Sequence, residues 1–298
     1  MKDIEIGPIR PPSESNSLLI RVTRGCHWNK CYFCDLYKKY KFSRRRYEEI
    51  EEDLKKAADS EYAQNYTTCF LQDGDAFVLR TEFLMQILEG IHKYLPNIKH
   101  VTTYARADSI ARKSVSELRE LKTAGIEHLY CGMETGSDLI LRKINKGFDT
   151  ATIIISGTKA KEAGMVLSEF TLFGIGGKEL AEENAVETAK VLNVIKPDFV
   201  RVHATGIKLS SEMWNYVKNK ELTLQSEEEI VSEQKIMLEL LADDMDCIYM
   251  NEHIVNLLLE VRGNIRTDKQ NMLETINTYL QLPKQEQELF NLGRRLNI

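Results

Sequence analysis

The stretch LLIRVTRGCHWNKCYFCDLY, Leu18 to Tyr37, opens with an apolar run, Leu18 to Thr23, that has the residue types of a strand. Directly after it, three of the chain's six cysteines, Cys26, Cys31 and Cys34, fall within nine residues. Thiolates this close in sequence can converge on one metal centre without help from distant elements. Structural zinc sites and plain electron-transfer clusters take four protein ligands, so three leave one coordination position for water, substrate or a cofactor. The alternative is a zinc site completed by His27 or a distant ligand; His27 adjoins Cys26, which makes joint chelation awkward.

Downstream of this loop, strand and helix patterns alternate. Ser43 is placed to cap a helix whose apolar positions are Tyr47, Ile50, Leu54 and Ala58. A strand over Cys69 to Gln72 is broken by Asp73-Gly74-Asp75. Helix follows over Thr81 to Tyr94 and strand over Lys99 to Tyr104. Ser114 and Glu117 form a capping box for a helix through Ala124, stopped by Gly125. Strands over His128 to Met133, Val166 to Phe173 and Phe199 to His203 alternate with helices over Thr150 to Ala163 and Leu180 to Lys196. Strand-then-helix units with short connections predict a parallel α/β sheet wound into an open or partial (β/α)6 barrel of TIM type, with a doubly wound open sheet as the alternative. In both, ligands gather at the carboxyl ends of the strands. Polar residues do cluster there: the cysteines, Asp73 and Asp75, Tyr104 and Arg106, Glu134, Gly174 to Gly177, and Arg201 with His203.

The flanks carry less. Residues 1–17 are rich in Pro and Ser and read as an arm or an edge-covering lead-in. After about Ile207 the pattern is helical only, with capping boxes at Ser226/Glu229 and Thr267/Gln270 and an apolar stripe of Ile254, Leu257, Leu258 and Val261. The expected division is therefore an arm (1–17), a core (18–208) and a helical region (209–298) packed on the barrel. Leu257 to Gly263 and Leu292 to Arg295 are the segments expected near its mouth.

Composition narrows the class of partner. Forty basic against 45 acidic residues give a net charge of −5, which disfavours nucleic acid and anionic membranes. No stretch approaches the roughly 20 apolar residues of a membrane span, and the N-terminal stretch lacks a secretion signal's apolar core. With Cys69, Cys131 and Cys247 scattered singly, the expectation is a cytoplasmic protein in a reducing compartment.

From Leu18 to Lys208 the motifs resemble the radical SAM enzymes. In that family a three-cysteine loop after the first strand holds a [4Fe-4S] cluster, and S-adenosylmethionine (SAM) occupies the open iron. The resemblance implies that Cys26, Cys31 and Cys34 bind the cluster and that Phe33 lies against the adenine. It implies that Asp73-Gly74-Asp75 stands where a turn receives the SAM ammonium, that Glu134 holds the ribose hydroxyls, and that Lys146 meets the SAM carboxylate. Gly174, Ile175 and Gly176 resemble the glycine motif lying along the adenine, while Arg201 to His203 would supply sixth-strand contacts to it. A dinucleotide fingerprint is the rival for those glycines, but it needs a third spaced glycine early in the chain. Tyr104 and Arg106 complete the cofactor-facing candidates. His27 to Lys30 place four residues between the first two cysteines, one more than the commonest family spacing, as in the coproporphyrinogen-oxidase-like and Elongator/methylthiotransferase-like branch.

The implied activity is reductive cleavage of SAM to a 5'-deoxyadenosyl radical that takes hydrogen from a substrate the sequence does not identify. A low-potential electron donor of ferredoxin or flavodoxin type is the implied partner. The basic run Lys38, Lys39, Lys41, Arg44, Arg45 and Arg46 is either a solvated face, a docking patch for such a donor, or a contact for an anionic substrate. The competing function is an iron-sulfur or zinc module for binding or redox without SAM cleavage.

Overall fold

The computed structural model describes residues 4–290. In chain order the first half holds β1 (Leu18–Arg21), β2 (Thr23–Arg24), β3 (Ser43–Arg44), α1 (Tyr47–Ala58), β4 (Thr68–Gln72), α2 (Thr81–Tyr94), β5 (His100–Ala105), α3 (Ala107–Ala111), α4 (Val115–Thr123) and β6 (Ile126–Glu134). Then come α5 (Asp138–Lys143), α6 (Thr150–Glu162), β7 (Val166–Phe173), α7 (Ala181–Ile195), β8 (Phe199–Ala204) and α8 (Met213–Lys218). The last are α9 (Glu227–Leu240), β9 (Ile248–Met250), β10 (Gly263–Asn264), α10 (Ile265–Leu280) and α11 (Lys284–Phe290).

Eight strands make one mostly parallel sheet in the order β1, β4, β5, β6, β7, β8, β9, β10. That order never reverses. A doubly wound sheet has a switch point where the order turns back, so the architecture is the partial TIM-type barrel. Two compact units divide it. One comprises the described part of residues 1–29 with Leu36–Cys131 and Ile155–Leu167; the other comprises Lys30–Asp35, Gly132–Ile154 and the described residues from Ser168 on.

In the first unit, α2 illustrates how pattern becomes packing. Phe83, Leu84, Ile87, Leu88 and Ile91 recur at helical spacing and are all buried. A fully buried aliphatic side chain is worth about 1.5–3 kcal/mol, whereas an isolated helix of this length is marginal, so the buried face holds it. At Gly90 a Cβ would sit 2.7 Å from the Tyr47 hydroxyl, and the bare glycine is what lets α1 approach α2. The capping box opens α4 as expected, with the Glu117 N–H donating to Ser114 Oγ. Ser43 does not cap α1. It pairs with Arg24 in an antiparallel ribbon of β2 and β3, and α1 starts instead after Arg46, whose N–H donates to the Glu49 carboxylate at 2.9 Å.

The arm does more than cover an edge. The Gly7 N–H donates to Gln72 Oε1 at 2.9 Å, and the Tyr130 hydroxyl donates to Glu14 at 2.6 Å. Ser17 and Thr68 share a hydroxyl bond of 2.7 Å. Gln72 and Tyr130 alternate along their strands with Leu71 and Cys131, so the arm runs along the face of the sheet that Gln72 and Tyr130 share. Phe70, Tyr104 and Tyr130 meet edge to face on that same side.

In the second unit the helices-only expectation after Ile207 is corrected. β9 extends the sheet parallel to β8, and β10 returns antiparallel to β9. Residues 251–262 form no helix: the Asn256 amide accepts from the Ala204 N–H at 2.7 Å and donates to the Val202 carbonyl at 2.6 Å, while Asn251 donates to the Leu257 and Leu258 carbonyls. Side-chain amides thus take the backbone partners a helix would use. Leu257, Leu258 and Val261 are buried as expected of a stripe, but Ile254 is 75% exposed. Thr267 lies inside α10, which Asn264 caps by accepting from the Arg266 N–H. The Ser226/Glu229 box opens α9 as read. Leu292 to Arg295 lie outside the described residues.

Candidate active site

The ribbon of β2 and β3 closes the base of the cysteine loop, so residues 25–42 leave β1 and return to it. Cys26 belongs to the first unit, Cys31 and Cys34 to the second. None of the three is in a disulfide; Cys31 is buried and the others are half-buried. Among the described residues no three His, Cys, Asp or Glu side chains converge in a metal-holding arrangement, so a cluster assignment rests on the spacing and chemistry of the thiols.

Around Cys26 the second-strand turn acts as a fastener. Asp73, 1% exposed, accepts from Arg21 Nε and the Gly25 N–H, both at 2.9 Å, and from the Tyr37 hydroxyl at 3.1 Å. One carboxylate therefore ties β1, the residue before Cys26 and the return of the loop together. Gly74 must be glycine: a Cβ there would lie 2.6 Å from the Tyr37 ring and 3.3 Å from Cys26 Cβ. Asp75, fully buried, accepts from the Arg106 N–H at 3.1 Å and the Ser109 hydroxyl at 2.6 Å. Its other neighbour is His27, whose Nδ1 lies 2.7 Å from Asp75 Oδ2 without the alignment of a hydrogen bond. Burial opposes protonation of His27, but Asp108 and Asp75 overcome it and raise the imidazole to about 9. His27 is thus committed to carboxylates. Arg106 is buried, bonded through Nε to Asp108 at 3.0 Å and stacked over Trp28. Burial pushes the Cys26 thiol up. Tyr104 sits in the aromatic group with Phe70 and Tyr130.

The second unit gathers another set. Tyr32 donates its N–H to the Ile144 carbonyl and accepts from the Met213 N–H, and Asn145 donates to the Lys30 carbonyl, so the segment bearing Cys31 and Cys34 is pinned on both sides. Glu134, ending β6 with φ 66°, receives Lys146 Nζ at 2.6 Å. That ammonium stands 5.9 Å from the Phe33 ring centre and 5.4 Å from Phe148. Phe33 packs on a core containing Ile140, Ile144 and Ile175. Phe33, Glu134, Lys146 and Ile175 therefore assemble in one unit. On β8, Arg201 Nε donates to Ser168 at 3.2 Å, and the His203 ring lies 4.3 Å from that of His253 and 5.4 Å from Phe170. Burial first, then His253 and Arg201, push His203 down to about 3, so its imidazole is neutral at physiological pH.

Gly174 follows β7 with φ 80°, a conformation that favours glycine, and its N–H donates to Glu233 Oε2 at 2.9 Å. Glu233, 1% exposed on α9, also accepts from Asn184 at 2.6 Å and Gln225 at 2.9 Å. Burial outweighs these bonds and raises its carboxyl to about 7. This residue was missed in sequence, although a signal existed: it lies three positions after Ile230 and four before Met237, on the buried face of α9. The basic run also sorts itself. Arg45, 3% exposed, donates to the Arg21 carbonyl and to Asp53, Arg44 stacks 4.5 Å over Phe83, and Arg46 pairs with Glu49. Arg45 is structural and leaves the exposed patch, whereas the lysines, Arg44 and Arg46 stay at the surface.

The sequence model of the Radical SAM superfamily matches residues 20–192, more than half of the chain. The chain is 22% identical over 214 residues to the heme chaperone HemW of Bacillus subtilis (strain 168), a match covering 70% of this chain and 55% of that protein. It thus spans about half the length of that curated relative. Among solved structures it is similar to methylornithine synthase (PylB), with a TM-score of 0.53 at 16% identity over 87% of this chain and 68% of that one. Coproporphyrinogen III oxidase (HemN) from Escherichia coli gives a TM-score of 0.52 at 16% identity over 75% and 52%. These likenesses establish the fold. Three unbridged thiols in one short loop suit a cluster with an open coordination position. The chain belongs to the radical SAM superfamily, whose members are enzymes that use a [4Fe-4S] cluster and S-adenosylmethionine.

Proposed function

We propose that this enzyme cleaves SAM reductively and abstracts hydrogen from its substrate, with Cys26, Cys31 and Cys34 as cluster ligands. When bound, the reduced cluster and SAM supply a 5'-deoxyadenosyl radical. The protein's own residues bind, orient and exclude water. Asp73 and Asp75 spend their side chains fixing the loop, which leaves the backbone of the 73–75 turn to receive the SAM ammonium. Glu134 keeps one carboxylate oxygen for the ribose hydroxyls while Lys146 holds the other. Lys146 also offers charge to the SAM carboxylate. Phe33 and Ile175 form an apolar wall for adenine, with Gly174 and Gly176 permitting close backbone approach. Tyr104, Arg106, Arg201 and His203 are the remaining residues that the family resemblance assigns to SAM, His203 with a neutral ring. Residues 18–208 would carry this chemistry.

The observation supporting this reading is the gathering of Phe33, Glu134, Lys146 and Ile175 in one unit, residues the family resemblance assigns to a single ligand. A zinc or electron-transfer module has no use for them, and the comparisons lend that alternative no support. No substrate follows from the relatives, because function lives in the site and not the fold. The test is 5'-deoxyadenosine formation after anaerobic cluster reconstitution, with SAM and dithionite. Product that disappears in Cys31→Ala is expected. Zinc in place of iron, or SAM binding without any cleavage, would overturn the reading.

A further inference from the structure

The cysteine loop exposes large apolar side chains together with lysines. Leu36 and Tyr40 are 40% and 49% exposed, large apolar side chains on a loop where solvation favours polar ones. Lys38, Lys39 and Lys41 are exposed between and beside them. Among the described residues Lys39 and Lys41 make no ion pair. The single acid of residues 25–42, Asp35, is bound by Lys208 at 3.3 Å and Ser210 at 2.9 Å. A chain of net charge −5 thus places three exposed lysines against one acid within this loop.

Hydrogen bonds and ring contacts tie this part of the loop beside Cys26. Asn29 donates to the Tyr37 carbonyl at 2.7 Å and to the Tyr40 carbonyl at 3.4 Å, and Lys38 donates back to the Asn29 carbonyl. The Tyr40 ring meets the Tyr37 ring edge on at 6.3 Å, and a Cβ built on Gly25 would lie 3.5 Å from Tyr40 Cβ. Tyr37 in turn packs where Gly74 meets Cys26.

We infer that Leu36, Tyr40 and the lysines 38, 39 and 41 form the docking surface for a small acidic one-electron carrier protein. The inference rests on the radical SAM reading of the loop. Exposed apolar side chains ringed by one sign of charge suit a transient partner of opposite charge, whose approach is steered by the field and screened by salt. One electron leaves the carrier's reduced flavin or iron-sulfur centre and enters the [4Fe-4S] cluster; the carrier is oxidised by one electron, the cluster reduced by one, and no bond forms or breaks. The lysines contribute encounter and register, and Leu36 and Tyr40 the apolar contact.

The experiment compares wild type with Lys38→Glu/Lys39→Glu/Lys41→Glu, using a recombinant flavodoxin as the acidic carrier. Binding is read by calorimetry on the reconstituted protein at low and high salt, and 5'-deoxyadenosine is driven either by reduced flavodoxin or by dithionite. The expected result is flavodoxin affinity and flavodoxin-driven rate lower by roughly tenfold or more, with iron content and the dithionite-driven rate unchanged. Wild-type affinity should fall with salt. Unchanged flavodoxin binding in the variant, or binding indifferent to salt, overturns the inference. If charge reversal prevents folding, Lys39→Gln/Lys41→Gln gives a smaller loss of the same kind, and its absence counts equally against the surface. Should dithionite yield no product even in wild type, the radical reading falls, while the binding arm still decides the docking surface.

Discussion

Replacing Glu233 with Gln isolates a buried carboxyl whose protonation is set by the fold. Its ordinary value is 4.5 and burial raises it to about 7 in the native protein. A carboxyl raised on folding binds its proton more tightly in the native state, so its contribution is fully present below pH 4.5 and is lost as pH rises through 7. Between pH 5 and 8 the loss is about 2–3 kcal/mol, with no discount for screening at a side chain this buried. Gln has no proton to lose, so its stability lacks this component. It brings a separate cost of about 1–3 kcal/mol, because its NH2 faces one of three donors (Gly174 N–H, Asn184 or Gln225), but that cost does not vary with pH. The quantity to follow is therefore the difference in urea midpoint between wild type and Glu233→Gln across that range, multiplied by the slope. Wild type should lose ground relative to the variant by about 2–3 kcal/mol on going from pH 5 to 8. Parallel curves would show that the carboxylate is ionised throughout and that its three donors outweigh burial.

Two further substitutions probe the turn and the ion pair. Gly74→Ala places a methyl 2.6 Å from the buried Tyr37 ring, and it should cost about 1–3 kcal/mol by overpacking; iron retained per chain after reconstitution should fall with melting temperature, and full retention of both would remove Tyr37 as a fixed wall. Glu134→Gln keeps the shape beside Lys146 but removes the charge, so SAM affinity measured by equilibrium dialysis should drop roughly tenfold with iron content intact. Unchanged SAM affinity would reject Glu134 as the ribose contact.

Much of this architecture was legible because it rests on local rules. The period of α2 and the boxes at Ser114 and Ser226 are read from neighbours a few residues apart, and so is the cysteine spacing. What stayed hidden depends on distant partners. β9 has three residues and too little length for a period, so its pairing with β8 and β10 defines it. Arg45 looks like any member of a basic run until Asp53 and the Arg21 carbonyl enclose it. The stripe at 254–261 is apolar enough for a helix, yet Asn251 and Asn256 compete for the backbone. Of the site, the residue types at the strand ends could be listed from sequence. That Glu134 and Lys146 face each other, or that Asp73 grips Gly25 and Tyr37, needed three dimensions.

The docked arm bears on the order in which the protein forms. Gly7 finds its partner 65 residues away in Gln72, and Ser13 finds Tyr130 at a separation of 117. Closing loops of that length costs entropy that local helices such as α1 and α2 do not face. The arm is therefore among the last segments to dock during folding, after β6 exists to receive it. Held mainly by hydrogen bonds and by the ion pairs of Glu5 with Arg21 and Arg24, it is also among the first to exchange its amide protons when the native state opens.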